Sequence, residues 1–289
     1  MSILRALMIG DVVGEPGLLA LEKKLPGLIR EYAADFVTVN GENAADGFGL
    51  TGDTLGRILN AGADVVTSGN HIWEKREFWP VLDTETRVLR PANYPAGTAG
   101  RGWVKIDKAP AEGGLPVSWI VVNLQGRELM PPINCPFREF DALVDRWGGG
   151  AMSPESSPEG NLPGEGSKPA PVILVDFHAE STREKESLAY YLDGRVSLVA
   201  GTHTHVQTAD DRILPRGTGY ITDLGMSGVK DSIIGMDTKI CLDRARNQVL
   251  YRMECAKGEG EVQGIAAEID GDTGKTLSIK RIDSEPVPV

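Results

Sequence analysis

"VSLVAGTHTH", residues 196–205, is an apolar run that ends on two histidines one residue apart. Its apolar part is continuous rather than alternating, which suits a strand buried on both faces of a sheet. Five further runs share that character: "LRALMIG" (4–10), "DFVTVN" (35–40), "DVVTSG" (64–69), "VSWIVVN" (117–123) and "PVILVDF" (171–177). Helical apolar spacing predicts helices between them, over 16–34 with a break at Pro26, over 51–62 behind a Thr cap, and over 181–194 behind Ser181 or Thr182. Alternating strands and helices predict a layered α/β fold.

Near the C-terminus, "AAEIDGDTGKTLSIKRID" (266–283) reads as a hairpin around an Asp/Gly turn. The stretch 148–171 is rich in Gly, Pro, Ser and Glu and has no aromatic, so it reads as a mobile surface insertion that buries too little to offset its ordering entropy. Strands resume after it in the same style, and the expectation is a single domain over 1–289.

Acidic residues outnumber basic ones by 41 to 30, a net charge of −11. That balance argues against long nucleic acid or an anionic membrane as partner, since both need a basic footprint. A small anion can still bind a locally positive pocket. The three cysteines, Cys135, Cys241 and Cys255, form neither a CxxC spacing nor an even set, which points to a reducing, cytoplasmic setting. The N-terminal apolar run is too short to span a membrane and reads as the first strand.

The polar residues that follow the strands carry the functional signal. Asp11 follows "LMIG", Glu42 and Asn43 follow "VTVNG", Asn70 and His71 follow "VVTSG", His178 follows "ILVDF", and His203 and His205 follow "LVAGT". All four histidines of the chain are in this set. Loops at the carboxyl ends of strands converge on a crevice, which is where α/β sheets bind ligands. Each residue alone has a bland reading as a turn residue or a surface histidine; their joint placement does not.

Imidazole and carboxylate donors without thiolate suit iron, manganese or zinc. An extended "THTH" would put His203 and His205 on one side about 6 to 7 Å apart. Each could then reach a different ion of a pair roughly 3.5 to 4 Å apart. Two carboxylates against two divalent ions leave about +2, or about +1 after a bridging hydroxide, which attracts a phosphate in an otherwise acidic chain.

"GD" (10–11), "NGEN" (40–43), "GNH" (69–71), "DFHAE" (176–180) and "GTHTH" (201–205) occur in the order of the calcineurin-like metallophosphoesterases. The longer strings "GDVVGEPG", "NGENAADGFGLT", "SGNHIWEKRE", "LDGRVSLVAGTHTHVQTAD" and "GYITDLGMSGVKDSIIG" resemble its YmdB-like branch of bacterial phosphodiesterases across nearly the whole chain outside 148–171. The chain departs from the superfamily's D-x-H opening, with Val13 in place of the histidine, and has Glu42 where the bridging ligand is usually aspartate. The YmdB-like branch shares both departures.

The resemblance implies a layered α/β sandwich of mixed sheets flanked by helices, with the active site at the strand C-terminal ends. It implies that Asp11, Glu42 and His205 hold one metal, with Asn43 close by. Glu42, Asn70, His178 and His203 would hold the second, and His71 would be the general acid. The implied cofactor is a pair of divalent or trivalent ions, iron first, with manganese or zinc as alternatives. The implied reaction is hydrolysis of small phosphodiesters, in particular 2′,3′-cyclic nucleotides, by a hydroxide bridging the ions. Homo-oligomers are common in the family. "DGFGLTGD" (46–53) and "GTGYITDLGMSG" (217–228) read as Gly-rich loops, either substrate walls or tight turns at the rim. Two rivals stay open: a phosphomonoesterase or nucleotidase on this scaffold, and a regulatory protein with a structural metal site.

Overall fold

The computed structural model describes residues 2–147 and 170–288. The chain opens with β1 (Ile3–Ile9), β2 (Asp11–Val12), α1 (Gly14–Glu31), β3 (Phe36–Asn40), α2 (Gly52–Asn60) and β4 (Val65–Thr67). Two 3-10 turns, Asn70–Trp73 and Arg76–Phe78, lead into α3 (Trp79–Thr84), followed by β5 (Trp103–Lys108), β6 (Val117–Gln125) and α4 (Pro136–Arg146). Next come β7 (Val172–His178), α5 (Thr182–Leu192), β8 (Leu198–Thr202), β9 (Arg212–Ile213) and β10 (Gly219–Ile221). The chain ends with β11 (Met226–Val229), α6 (Thr238–Asn247), β12 (Gly260–Asp270) and β13 (Thr276–Asp283).

The strands form two mixed sheets, as expected. One runs β2-β11-β12-β1-β3-β4 with β13 paired to β12, and the other runs β5-β6-β7-β8-β10-β9. Strands β1, β3 and β4 are parallel neighbours, and so are β6, β7 and β8. Hydrophobic alternation sorts each strand between two cores. Leu4, Ala6 and Met8 face Val121, Leu174, Leu198 and Ala200 of the other sheet, while Leu7 and Ile9 pack outward with Leu21 and Leu25 of α1 and Ile58 of α2. On the far side Val122, Ile173 and Val175 pack with Phe140 and Leu143 of α4 and Leu188 and Leu192 of α5. The order of layers is therefore helix, sheet, sheet, helix. Phe36 and Trp119 stack across the sandwich at 4.8 Å between ring centroids, a pairing worth about 0.5–1.5 kcal/mol beyond its buried area.

The caps at α2 and α5 match the sequence. Thr51 accepts from the Thr54 N–H in a reciprocal capping box, and Ser181 accepts from the Glu184 N–H. The C-terminal hairpin forms as β12 and β13. Two expectations are corrected. Pro26 does not break the first helix: α1 runs through it, because Leu21, Leu25 and Leu28 are buried on either side and their packing outweighs the one missing backbone donor. Residues 217–228 are not a loop, since they hold β10 and β11, each paired to longer strands. The expected mobile insertion lies outside the described residues, apart from Ala170 and Pro171. Among the described residues no helix is long and apolar enough to cross a membrane.

Candidate metal centre

The register places the strand ends together. In one sheet Asn40 pairs with Thr67, and in the other Gln125 pairs with His178 and His178 with Thr202. Asn40 donates to Asp176 at 2.9 Å across the sandwich, which ties the carboxyl ends of the two sheets to each other. The eight expected site residues all lie around this junction.

Glu42 is fully buried after β3. Its Oε1 lies 3.1 Å from His178 Nε2 and accepts from Asn43 Nδ2 at 3.2 Å, and its Oε2 accepts the His71 backbone N–H at 3.1 Å. His178 Nε2 is also 3.1 Å from Asn70 Oδ1 and 2.9 Å from His203 Nδ1. Donor atoms of Glu42, His178 and His203 fall within 4.8 Å of one another, a spacing that one metal ion can bridge. Nearby, His205 Nε2 lies 3.1 Å from Asn43 Nδ2 and 3.8 Å from Asp11 Oδ1. Asp11 is reached from the other group too, at 3.9 Å from His178 Nδ1.

The extended "THTH" is corrected. Strand β8 ends at Thr202, and His203 and His205 have left-handed φ values of 99° and 63°. Such conformations cost on the order of 1–3 kcal/mol each and persist where surrounding contacts hold them. Here two buried carboxylates do so: Asp11 Oδ2 accepts the His203 N–H at 3.2 Å and Asp223 Oδ2 accepts the Thr204 N–H at 3.2 Å. The turn sends His203 toward Glu42 and His178, and His205 toward Asp11 and Asn43.

Each of the three histidines has its outer nitrogen occupied, His178 by Thr202 Oγ1 at 3.0 Å from its Nδ1. His205 Nδ1 meets the Ile234 carbonyl at 2.9 Å, and His203 Nε2 meets Glu180 Oε2 at 3.2 Å. A carbonyl and a carboxylate only accept, so those nitrogens carry the protons and the opposite nitrogens face the site. His71 stands at the rim with its side chain 27% exposed, its Nδ1 3.5 Å from Glu74 and the Phe48 ring edge-on at 5.1 Å.

Burial and mutual charge shift the ionisable groups of the site in opposite directions. Burial raises the Asp11 carboxyl well above its ordinary value, even against the pull of His205 and His178. Burial acts the same way on Glu42, but the charge and hydrogen bond of His178 outweigh it and hold that carboxyl low. Burial disfavours charge on His178 as well, yet Glu42, Asp11 and Asp176 reverse this and lift it above the usual histidine range. His203 is pushed down to about 3, by burial first and by the neighbouring His178 charge next. A cation relieves both the raised Asp11 and the raised His178.

Two oxygens give an independent test of metal fit. Among the described residues, Asp11 Oδ1 and Asn43 Oδ1 are buried without any hydrogen-bond donor. Unpaired buried oxygens of this kind are costly unless a cation or donor meets them. The donor set therefore fits a metal centre of imidazole, carboxylate and amide oxygen. Val13, at the position of the missing superfamily histidine, packs against Met226 and Met236 and offers no ligand.

Sequence reading did not assign roles to the supporting residues. Asp176 and Thr202 stand behind His178, Glu180 behind His203, and Asp223 with Lys185 behind the histidine turn. Asp176, Glu180 and Thr202 lie inside the quoted motifs, but polar residues next to candidate ligands carry no separate signal. Gly69 is a further case: a Cβ there would stand 2.3 Å from His178 Nε2 and 2.4 Å from Glu42 Oε2.

The family model described as "YmdB-like protein" matches residues 7–282. A Bacillus subtilis protein named 2′,3′-cyclic-nucleotide 2′-phosphodiesterase is 42% identical over 279 residues, covering 96% of each chain. The crystal structure of a hypothetical protein from Thermus thermophilus superposes with a TM-score of 0.83 at 37% identity, covering 98% of this chain and all of that one. A structure from Mycoplasma pneumoniae described as a novel phosphatase gives a TM-score of 0.85 at 27% identity, covering all of this chain and 95% of that one.

Proposed function

The chain belongs to the YmdB-like family, and on that premise we propose a dinuclear metal-dependent phosphodiesterase acting on small phosphodiesters, with 2′,3′-cyclic nucleotides as the substrate class. Asp11, Glu42 and His205, with Asn43 beside them, would hold one ion, and Glu42, Asn70, His178 and His203 the other. When bound, such ions supply a nucleophile from water at neutral pH and positive charge for the phosphoryl oxygens. The observation that carries the reading is the pair of orphaned oxygens on Asp11 and Asn43 beside the Glu42, His178 and His203 group. The name of the Bacillus subtilis relative supports the substrate class.

The chain's own residues complete the reaction. Glu42 anchors the His71 backbone, so His71 is fixed to the same carboxylate that reaches the metal ligands. Its imidazole is partly open to solvent. In the proposed step water adds to phosphorus and releases one proton to solvent, while His71 gives its own proton to the leaving ribose oxygen as that P–O bond breaks. General acids of this kind contribute typically ~10²- to 10⁴-fold. Phe48 packs edge-on against the ring at 5.1 Å between centroids.

The test compares 2′,3′-cyclic AMP, a nucleoside monophosphate and an aryl phosphodiester on protein of known metal content, with His71→Ala alongside. Expected are preference for the cyclic diester and a loss of ~10²- to 10⁴-fold in the variant with its metals retained. Full hydrolysis by metal-loaded His71→Ala overturns the acid. Faster cleavage of the monoester, or no cleavage of any phosphoester with iron or manganese supplied, overturns the function.

A further inference from the structure

Behind the ligands, at the centre of the sandwich, lies a closed set of buried polar side chains: Asn40, Thr67, Asp176 and Thr202. Each comes from a different strand: Asn40, Thr67 and Thr202 are the last residues of β3, β4 and β8, and Asp176 lies two residues before the end of β7. Asp176 Oδ2 accepts from Asn40 Nδ2 at 2.9 Å and from the Thr67 hydroxyl, and its Oδ1 accepts from the Thr202 hydroxyl at 2.7 Å. Thr202 Oγ1 also receives Asn40 Nδ2 at 3.3 Å and lies 3.0 Å from His178 Nδ1.

Counting donors and acceptors fixes the protons. Asn40, Thr67 and Thr202 turn three donors on the two Asp176 oxygens, the surroundings of an ionised carboxylate. In that form it only accepts, so the single Thr202 hydroxyl proton is committed to Asp176. The Thr202 oxygen then presents only lone pairs to its remaining neighbours, Asn40 Nδ2 and His178 Nδ1. His178 must donate from Nδ1, which turns Nε2 toward Glu42, Asn70 and His203. We propose that Asp176, acting through the Thr202 hydroxyl, is the positioning residue that sets the tautomer and ring orientation of His178 for metal binding. The inference rests on the metal-centre reading above.

Neither residue is a catalytic residue, because neither touches substrate or the reacting atoms. The device is the hydroxyl-relayed form of the arrangement in which a ligating histidine gives its other N–H to a carboxylate. His203 shows the direct form, with Glu180 on its Nε2. The relay differs in being wholly buried and in linking both sheets, so it also locks Glu42's strand, through Asn40, to His178's strand. Asn40 Oδ1 accepts the Glu42 backbone N–H at 3.1 Å, which places a second ligand under the same control.

Thr202→Val keeps the shape and removes the hydroxyl, Thr202→Ser restores it, and Asp176→Asn keeps the shape while replacing one acceptor by a donor. The readouts are metal affinity of the full-length protein by competition with a chelator, and the protonated nitrogen of His178 by ¹⁵N NMR of protein loaded with zinc. Loss of such a supporting group costs metal affinity about 10- to 100-fold. Expected is that loss in Thr202→Val and Asp176→Asn, near-complete rescue in Thr202→Ser, and a proton on Nδ1 of His178 in the wild type. Wild-type affinity in both Thr202→Val and Asp176→Asn, or a proton on Nε2 in the loaded wild type, overturns the proposal. If Thr202→Ser is as weak as Thr202→Val, the hydroxyl by itself does not restore binding, and the relay fails. None of these readouts uses phosphoester cleavage, so an inactive wild type would refute the function and leave this result standing.

Discussion

Gly69→Ala probes the site without replacing a proposed ligand. The added Cβ would stand 2.2 Å from His178 Cδ2, 2.3 Å from His178 Nε2 and 2.4 Å from Glu42 Oε2. Non-bonded contacts relax near about 3.5 Å, so either the imidazole or the carboxylate must retreat by about 1 Å. A misplacement of that size costs on the order of 10²-fold in rate, and overpacking of this kind costs about 1–3 kcal/mol in stability. The assay is kcat/KM on 2′,3′-cyclic AMP with metal content per chain measured on the same sample. Gly56→Ala is the control, because nothing stands within 4 Å of a Cβ there and the position is inside α2. It should keep activity and gain about 0.5–1 kcal/mol. A Gly69→Ala variant that binds metal and turns over like wild type would refute the packing argument.

The histidine turn predicts an asymmetry: His203→Ala and His205→Ala should each lose metal in elemental analysis, whereas Thr204→Ala should not, since Asp223 holds its backbone N–H. Lys185 and Asp223 form a buried pair at 2.7 Å, each 1% exposed, so Lys185→Met should cost about 3–5 kcal/mol in urea unfolding by stranding the Asp223 charge. On the surface, the Arg57 guanidinium hydrogen-bonds Glu22 and holds its carboxyl below the ordinary value of 4.5. A lowered folded-state value adds stability above the unfolded value that is lost as pH falls below it. Stability measured against pH should therefore decline less steeply through the acid range in Glu22→Gln than in wild type.

Much of this architecture is legible in the sequence, for identifiable reasons. The strands buried on both faces, β1, β3, β4, β6, β7 and β8, are continuous apolar runs, and Thr51 and Ser181 announce their helices by capping chemistry. Strand β5 escapes because it is a half-exposed edge whose residues are mixed, and α6 because none of its residues is buried, so no apolar stripe marks it. Strands β9, β10 and β11 are two to four residues long and are defined by pairing with distant partners. Positions of candidate ligands at strand ends are readable because ligand chemistry and strand periodicity coincide there. The left-handed turn at His203 and His205 is not, since it depends on Asp11 and Asp223, which are remote in sequence and reach those backbone amides only in the fold. The same holds for Asp176, a charged residue inside an apolar run whose partners come from three other strands.

The central claim is that two ions share Glu42, one beside Asp11 and His205 and one beside His178 and His203. Elemental analysis of freshly purified wild type, His205→Ala and His178→Ala tests it most directly. The account predicts two equivalents of metal per chain in the wild type and a clear loss in each variant, with phosphodiester cleavage falling in parallel. Wild-type protein that takes up no metal when iron, manganese and zinc are each supplied, or variants that retain the full wild-type content, would contradict it.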